Sequence, residues 1–120
     1  MCIRDRAYSP LAGGLLTGKY LNENMPHDSR MTRVSTIGDR VNKNAMKAVQ
    51  EYMKISKKFN IHPVHLALAF CTKRPFMGSV IFGATTDEQL DVVIKGLDVD
   101  LNDEIMKEIS LVYKNYALTF

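Results

Sequence analysis

The order of its elements constrains this chain more than any other feature. A strand candidate at residues 7–9 is followed by a polar loop, two helical segments, a second strand candidate at 79–82 and two more helices. A strand reached again by way of helices is the connection of a parallel sheet. Two parallel strands do not make a core, because such a sheet needs cover on both faces and a neighbour on each edge. One helix sharpens the constraint. Pro63 can take a first helical position, and the turns after it, to about residue 73, are apolar on most sides at Val64, Leu66, Ala67, Leu68 and Phe70. Such a helix belongs inside a larger body.

Helical spacing continues elsewhere. Ala45, Val49, Tyr52, Met53 and Phe59 recur at helical intervals within 42–59. Thr86 opens a helix to about residue 95, and Asn102 opens the last, with Leu101 and Met106 placed as a hydrophobic staple. Ile105, Ile109, Val112 and Tyr116 form that helix's inner face. Residues 21–40, with Pro26, Gly38 and several Asn, Asp and Ser, read as a long surface loop, and loops of that length are usually functional.

Both strand candidates open into polar, glycine-containing turns. The first is Ser-Pro-Leu-Ala-Gly-Gly-Leu-Leu-Thr-Gly-Lys-Tyr at 9–20 and the second Gly-Ala-Thr-Thr-Asp-Glu-Gln-Leu at 83–90. Glycine lets backbone approach a ligand without interference from Cβ, and successive N–H groups in a turn or at a helix start make a concave anion site. Phosphate capture is the chemistry this pattern suits, although neither turn matches the Walker pattern or G-x-G-x-x-G.

Taken in full, those words, with Leu-Ala-Leu-Ala-Phe-Cys at 66–71 and Val-Ile-Phe leading into the second turn at 80–82, resemble the C-terminal part of an aldo-keto reductase. The Tas-like and potassium-channel-β-like branches are nearest in wording, and the resemblance runs from about Ala7 to the end. It implies a (β/α)8 TIM barrel, which takes roughly 200–250 residues or more. A chain of 120 residues would then hold only the last two strands and associated helices, an α/β but helix-rich piece of one barrel domain in 7–120. Met-Cys-Ile-Arg-Asp-Arg at 1–6 carries three charges where the family has an apolar strand, so these six residues are expected to be a non-native scar outside the fold.

The resemblance also implies a site. Tyr8 matches the aromatic that stacks on the nicotinamide ring, and Ser9, Pro10, Leu11 and Gly13 match positions along the pyrophosphate, mostly through backbone. Lys19 corresponds to a lysine that neutralises pyrophosphate, and Arg30 to a phosphate-contacting arginine for which Arg33 is a rival. Gly83, Ala84, Thr85, Thr86 and Gln89 would meet the adenosine ribose and its 2′-phosphate. Spacing alone gives Thr86 and Gln89 a second reading as a capping box. Two departures stand out. Val93 replaces an asparagine that reads adenine in many relatives, and Asp87, Glu88 and Asp91 make the second turn acidic, with no lysine or arginine between 83 and 93. The implied cofactor is NADP, with NAD possible, and the implied partner a small carbonyl substrate.

The family's catalytic tyrosine, lysine, aspartate and histidine lie on earlier strands, so no residue here is assigned a catalytic role. Tyr20, Tyr52, Tyr113 and Tyr116 fall in a loop or on helical faces, and His62 and His65 lack a further ligand at metal spacing. The expected function is the cofactor-binding segment of an NADP(H)-dependent oxidoreductase, inactive alone. A nucleotide-sensing subunit of the channel-β kind and a small helical interaction domain are the alternatives. With 46% hydrophobic and 24% charged residues and a net charge of +3, the composition is that of a globular segment without a nucleic-acid-binding surface. No apolar run approaches a membrane span, and a cytoplasmic location is expected. Cys2 and Cys71 have no redox or metal spacing.

Overall fold

A computed structural model of the chain describes residues 5–34 and 41–117. Residues 1–4 of the expected scar, with Cys2, and 35–40 of the long loop, with Gly38, lie outside the described residues. Among the described residues, two strands and five α-helices follow in order: β1 (Asp5–Tyr8), α1 (Arg30–Arg33), α2 (Lys43–Lys58), α3 (Pro63–Thr72), β2 (Met77–Ile81), α4 (Asp87–Lys95) and α5 (Asp103–Asn115). Two 3₁₀ segments, Ala12–Thr17 and Leu21–Glu23, lie between β1 and α1.

β1 and β2 pair in parallel, with Arg6 opposite Ser79, Ala7 opposite Val80 and Tyr8 opposite Ile81. β1 begins two residues earlier than its apolar wording suggests. Asp5 and Arg6, which the sequence reading set aside with 1–4, are therefore paired strand residues. β2 likewise spans Met77–Ile81 rather than 79–82. Backbone hydrogen bonding to a partner strand sets these bounds, and hydropathy does not report it. Alternation puts Ala7 and Val80 on one face, where Val80 packs beside Val64 and Leu68 of α3 and Val93 of α4. The other face, with Arg6, Tyr8, Ser79 and Ile81, is open. A parallel pair covered on one face only is the arrangement the element order anticipates for part of a larger sheet.

Each long helix starts on a side-chain cap. Asn42 Oδ1 accepts from the Ala45 N–H at 2.8 Å, and Asn102 Oδ1 from Ile105 at 2.8 Å. His62 Nδ1 accepts from Val64 at 3.2 Å ahead of Pro63. Leu101 and Met106, at the staple positions, both pack on the cluster formed by Ala48, Ile55, Leu66, Ile105, Ile109 and Val112. Lys58 of α2 reaches Glu104 (3.5 Å) and Glu108 of α5, closing that helix pair at the surface. The described part of the loop, 21–34, is less irregular than expected: it holds the 3₁₀ turn at 21–23 and the single helical turn of α1.

Candidate functional site

Because the strands are parallel and Tyr8 pairs with Ile81, both glycine turns leave the sheet at the same edge, the C-terminal ends of β1 and β2. Tyr8 is 70% exposed at that edge, on the open face of the sheet.

The first turn is built on strained backbone. Pro10 and Leu11 form its corner, closed by the Ala12 N–H donating to Ser9 O at 2.9 Å. Ser9 (φ 55°), Ala12 (50°), Gly13 (69°) and Gly14 (97°) all occupy the left-handed region. That conformation costs a non-glycine residue on the order of 1–2 kcal/mol. It is held by Leu11 O accepting from both Gly14 and Leu16, by the Thr17 hydroxyl donating to Gly14 O at 2.7 Å, and by burial of Leu15 and Tyr20. Strain of this kind, fixed by its surroundings, concentrates at ligand sites.

Lys19 lies back over the same turn. A Cβ on Gly14 would come within 3.1 Å of Lys19 Cε and 3.3 Å of its Nζ, so the glycine makes room for the lysine stem. The ammonium sits 5.0 Å from the Tyr20 ring centroid and pairs with no carboxylate among the described residues. Tyr20, an undistinguished loop tyrosine in the sequence, is 2% exposed and accepts the Met31 N–H on its hydroxyl at 3.4 Å, tethering α1 to the first turn. Its position directly after Gly-Lys was the one available signal. Of the two rival arginines, Arg33 is engaged by Asp28 (Nη2 at 2.6 Å, Nε at 3.0 Å), whereas Arg30 is exposed and has no ion pair among the described residues.

The second turn is exposed throughout, and its side chains bond locally. Thr86 Oγ1 accepts the Gln89 N–H at 3.3 Å, as an N-cap should. Gln89 does not return to the Thr86 N–H, however. Its Oε1 accepts from the N–H and hydroxyl of Thr85 at 3.0 and 3.1 Å, so the capping box closes one residue early. Glu88 accepts from its own N–H and from the Thr86 hydroxyl, which holds its carboxyl below the usual range. Gly83 differs from Gly14: an added Cβ would meet nothing within 4 Å, and its φ is not left-handed.

Tyr8, Ser9 and Pro10, with Ala12, Leu15 and Leu16 of the first turn, also border an apolar groove of about 530 Å³ between α2, α3 and α5, whose lining does not include Lys19, Arg30 or the second turn. Tyr52, in its wall, has its hydroxyl pushed up in pKa by burial and by Tyr113. His62 and His65 stand 5.0 Å apart, but His62 serves as a cap, His65 Nε2 lies 2.7 Å from Val92 O, and no group of three metal-ligating side chains occurs among the described residues. None of the described helices is long and apolar enough to cross a membrane.

A profile of the aldo/keto reductase family matches residues 3–114. The chain is 38% identical over 111 residues to Protein tas of Escherichia coli, covering 92% of this chain and 32% of that protein. It is 34% identical over 113 residues to a probable voltage-gated potassium channel subunit beta of rice, covering 90% and 34%. To the uncharacterized oxidoreductase YrpG of Bacillus subtilis it is 31% identical over 107 residues, covering 89% and 31%. It thus spans about a third of the length of these curated relatives. With a profile match along almost its whole length and both glycine turns set at one sheet edge, the chain belongs to the aldo/keto reductase family.

Proposed function

We propose that this chain is the cofactor-binding C-terminal part of an NADP(H)-dependent aldo-keto reductase barrel that reduces aldehydes or ketones by hydride transfer. On this reading residues 7–120 belong to one barrel domain, and the catalytic groups are supplied by another part of the polypeptide. The observation that carries it is the parallel pairing of Tyr8 with Ile81, which sets both glycine turns at one strand edge, where sites in such barrels gather. The residues present fit a dinucleotide. An exposed aromatic face can stack on nicotinamide, the ammonium of Lys19 lies over a turn with left-handed backbone, and Gly83 leaves its surroundings open to a ligand. Asp87, Glu88 and Asp91 leave a 2′-phosphate without a local cation, so preference for NADPH over NADH rests on Arg30.

The test is titration of NADPH and NADH into the longer polypeptide that carries this segment. Each charge-assisted contact is worth roughly 1.5–3 kcal/mol, about ten- to hundredfold in affinity. Lys19→Ala should weaken both cofactors alike, since pyrophosphate is common to them, and Arg30→Ala should weaken NADPH more. Dissociation constants within about twofold of the parent for both variants would remove the two turns as a cofactor site.

A further inference from the structure

The turn that carries Arg30 has little of its own to hold it. α1 is a single helical turn, and one turn fixes several backbone dihedrals for very few hydrogen bonds. Its first N–H groups have no intrahelical acceptor, a lack that an N-cap side chain ordinarily makes good. Ser29 stands at that position with the extended backbone of a cap (φ −78°, ψ 164°), but its side chain makes no capping bond. The Ser29 hydroxyl is instead buried, with no hydrogen-bond partner among the described residues.

The missing acceptor comes from eleven residues upstream of the donor. Met31, the second residue of α1, donates its N–H to the Tyr20 hydroxyl at 3.4 Å. Every other hydrogen bond of residues 29–34 among the described residues stays within 26–34: Ser29 to Pro26, Thr32 to Ser29, Val34 to Arg30 and Arg33 to Asp28. Side-chain packing takes the same route, since Met31 lies against the buried cluster of Leu15, Tyr20 and Val49.

The ring of the same tyrosine meets Lys19. Its centroid lies 5.0 Å from the ammonium, and its Cε2 would lie 3.5 Å from a Cβ on Gly14. Ring and hydroxyl therefore act on different cations. The ring steadies Lys19 at the first turn, and the hydroxyl fixes the backbone next to Arg30, the arginine that Asp28 leaves unengaged.

We propose that Tyr20 is a positioning residue for the cofactor phosphates, and that its hydroxyl, acting through Met31, sets Arg30 and with it the preference for NADPH over NADH. The assignment rests on the reading of Lys19 and Arg30 as phosphate contacts.

Titration of NADPH and NADH into the longer polypeptide that carries this segment tests it, with Tyr20→Phe, Arg30→Ala and the double variant. Phenylalanine keeps the buried ring and removes the hydroxyl. Tyr20→Phe should weaken NADPH about fivefold, the worth of roughly one hydrogen bond, and NADH by no more than about twofold. In the Arg30→Ala background it should change NADPH by less than about twofold, because the group it positions is gone. Ser29→Ala, which removes a hydroxyl that caps nothing, should leave both constants within about twofold. Equal weakening of both cofactors by Tyr20→Phe, as a structural defect would give, overturns the proposal. So does a Tyr20→Phe loss that persists in full without Arg30, or a Ser29→Ala variant that reproduces it. Tyr20→Phe without effect while Arg30→Ala weakens NADPH overturns the role of Tyr20 and leaves the cofactor reading intact. Arg30→Ala without effect on NADPH overturns the role of Tyr20 as well, and if Lys19→Ala is also silent the cofactor reading falls with it.

Discussion

Gly83→Ala separates what the fold requires from what a ligand requires. The added methyl meets no atom within 4 Å, and the backbone is outside the left-handed region. The folded chain therefore has no reason to resist it, and reducing the freedom of the unfolded chain should add about 0.4–1 kcal/mol of stability. Gly14→Ala is the contrasting change. Its φ of 97° charges an alanine on the order of 1–2 kcal/mol, and the Cβ would press on Lys19 Cε at 3.1 Å. If a cofactor lies against the backbone at Gly83, the methyl occupies the ligand's space, and a loss of about 1.4–2.8 kcal/mol, ten- to hundredfold in affinity, is expected. Denaturant midpoints followed by circular dichroism report the first quantity, and NADPH titration of the longer polypeptide the second. The reasoning fails if Gly83→Ala lowers stability by more than about 0.5 kcal/mol, or if it leaves both stability and affinity unchanged.

Three further outcomes are expected. Gln89→Ala removes the acceptor for the Thr85 N–H and hydroxyl while leaving the Thr86 cap in place, so the cost should stay near 0.5–1 kcal/mol in a denaturant titration; a larger loss would mean that the displaced box holds α4 together. Gly96→Ala should destabilise by about 1–3 kcal/mol, because the new Cβ would lie 2.5 Å from His65 Cδ2 and 3.3 Å from its Cα and force the ring off Val92 O; a neutral result would contradict the α3–α4 packing. Desolvation, and after it the neighbouring His65, lowers the His62 pKa below 6.5, so the folded state binds fewer protons than the unfolded one. The stability contributed by its neutral ring is then complete above about pH 6.5 and declines as pH falls below it, modestly since the ring is exposed; His62→Asn, which keeps a capping oxygen, should flatten that slope in a pH series of unfolding midpoints.

Helices were legible here wherever a cap and a period coincided. Asn102 is a local feature that caps its helix as the spacing implies, and Leu101 and Met106 reach one cluster from the staple positions; the Asn42 cap is found only in the structure. Strand bounds were not, because pairing with a strand some seventy residues away, and not hydropathy, recruits Asp5 and Arg6 into β1. The capping box shows the same limit at smaller scale. Thr86 and Gln89 have the right spacing, but whether Gln89 bonds to residue 86 or 85 depends on the path of the chain entering the helix, which spacing does not encode. At the candidate site the residue types were readable and their dependencies were not. Lys19 reads as a cation able to meet phosphate, yet its position over the turn needs Gly14 to lack a side chain and Tyr20 to be buried beneath it. Arg30 and Arg33 are equal candidates by type, and only the fold gives Asp28 to one of them. A charge available for a ligand is thus a property of what neighbouring residues leave unpaired, and that becomes visible only once the chain is folded.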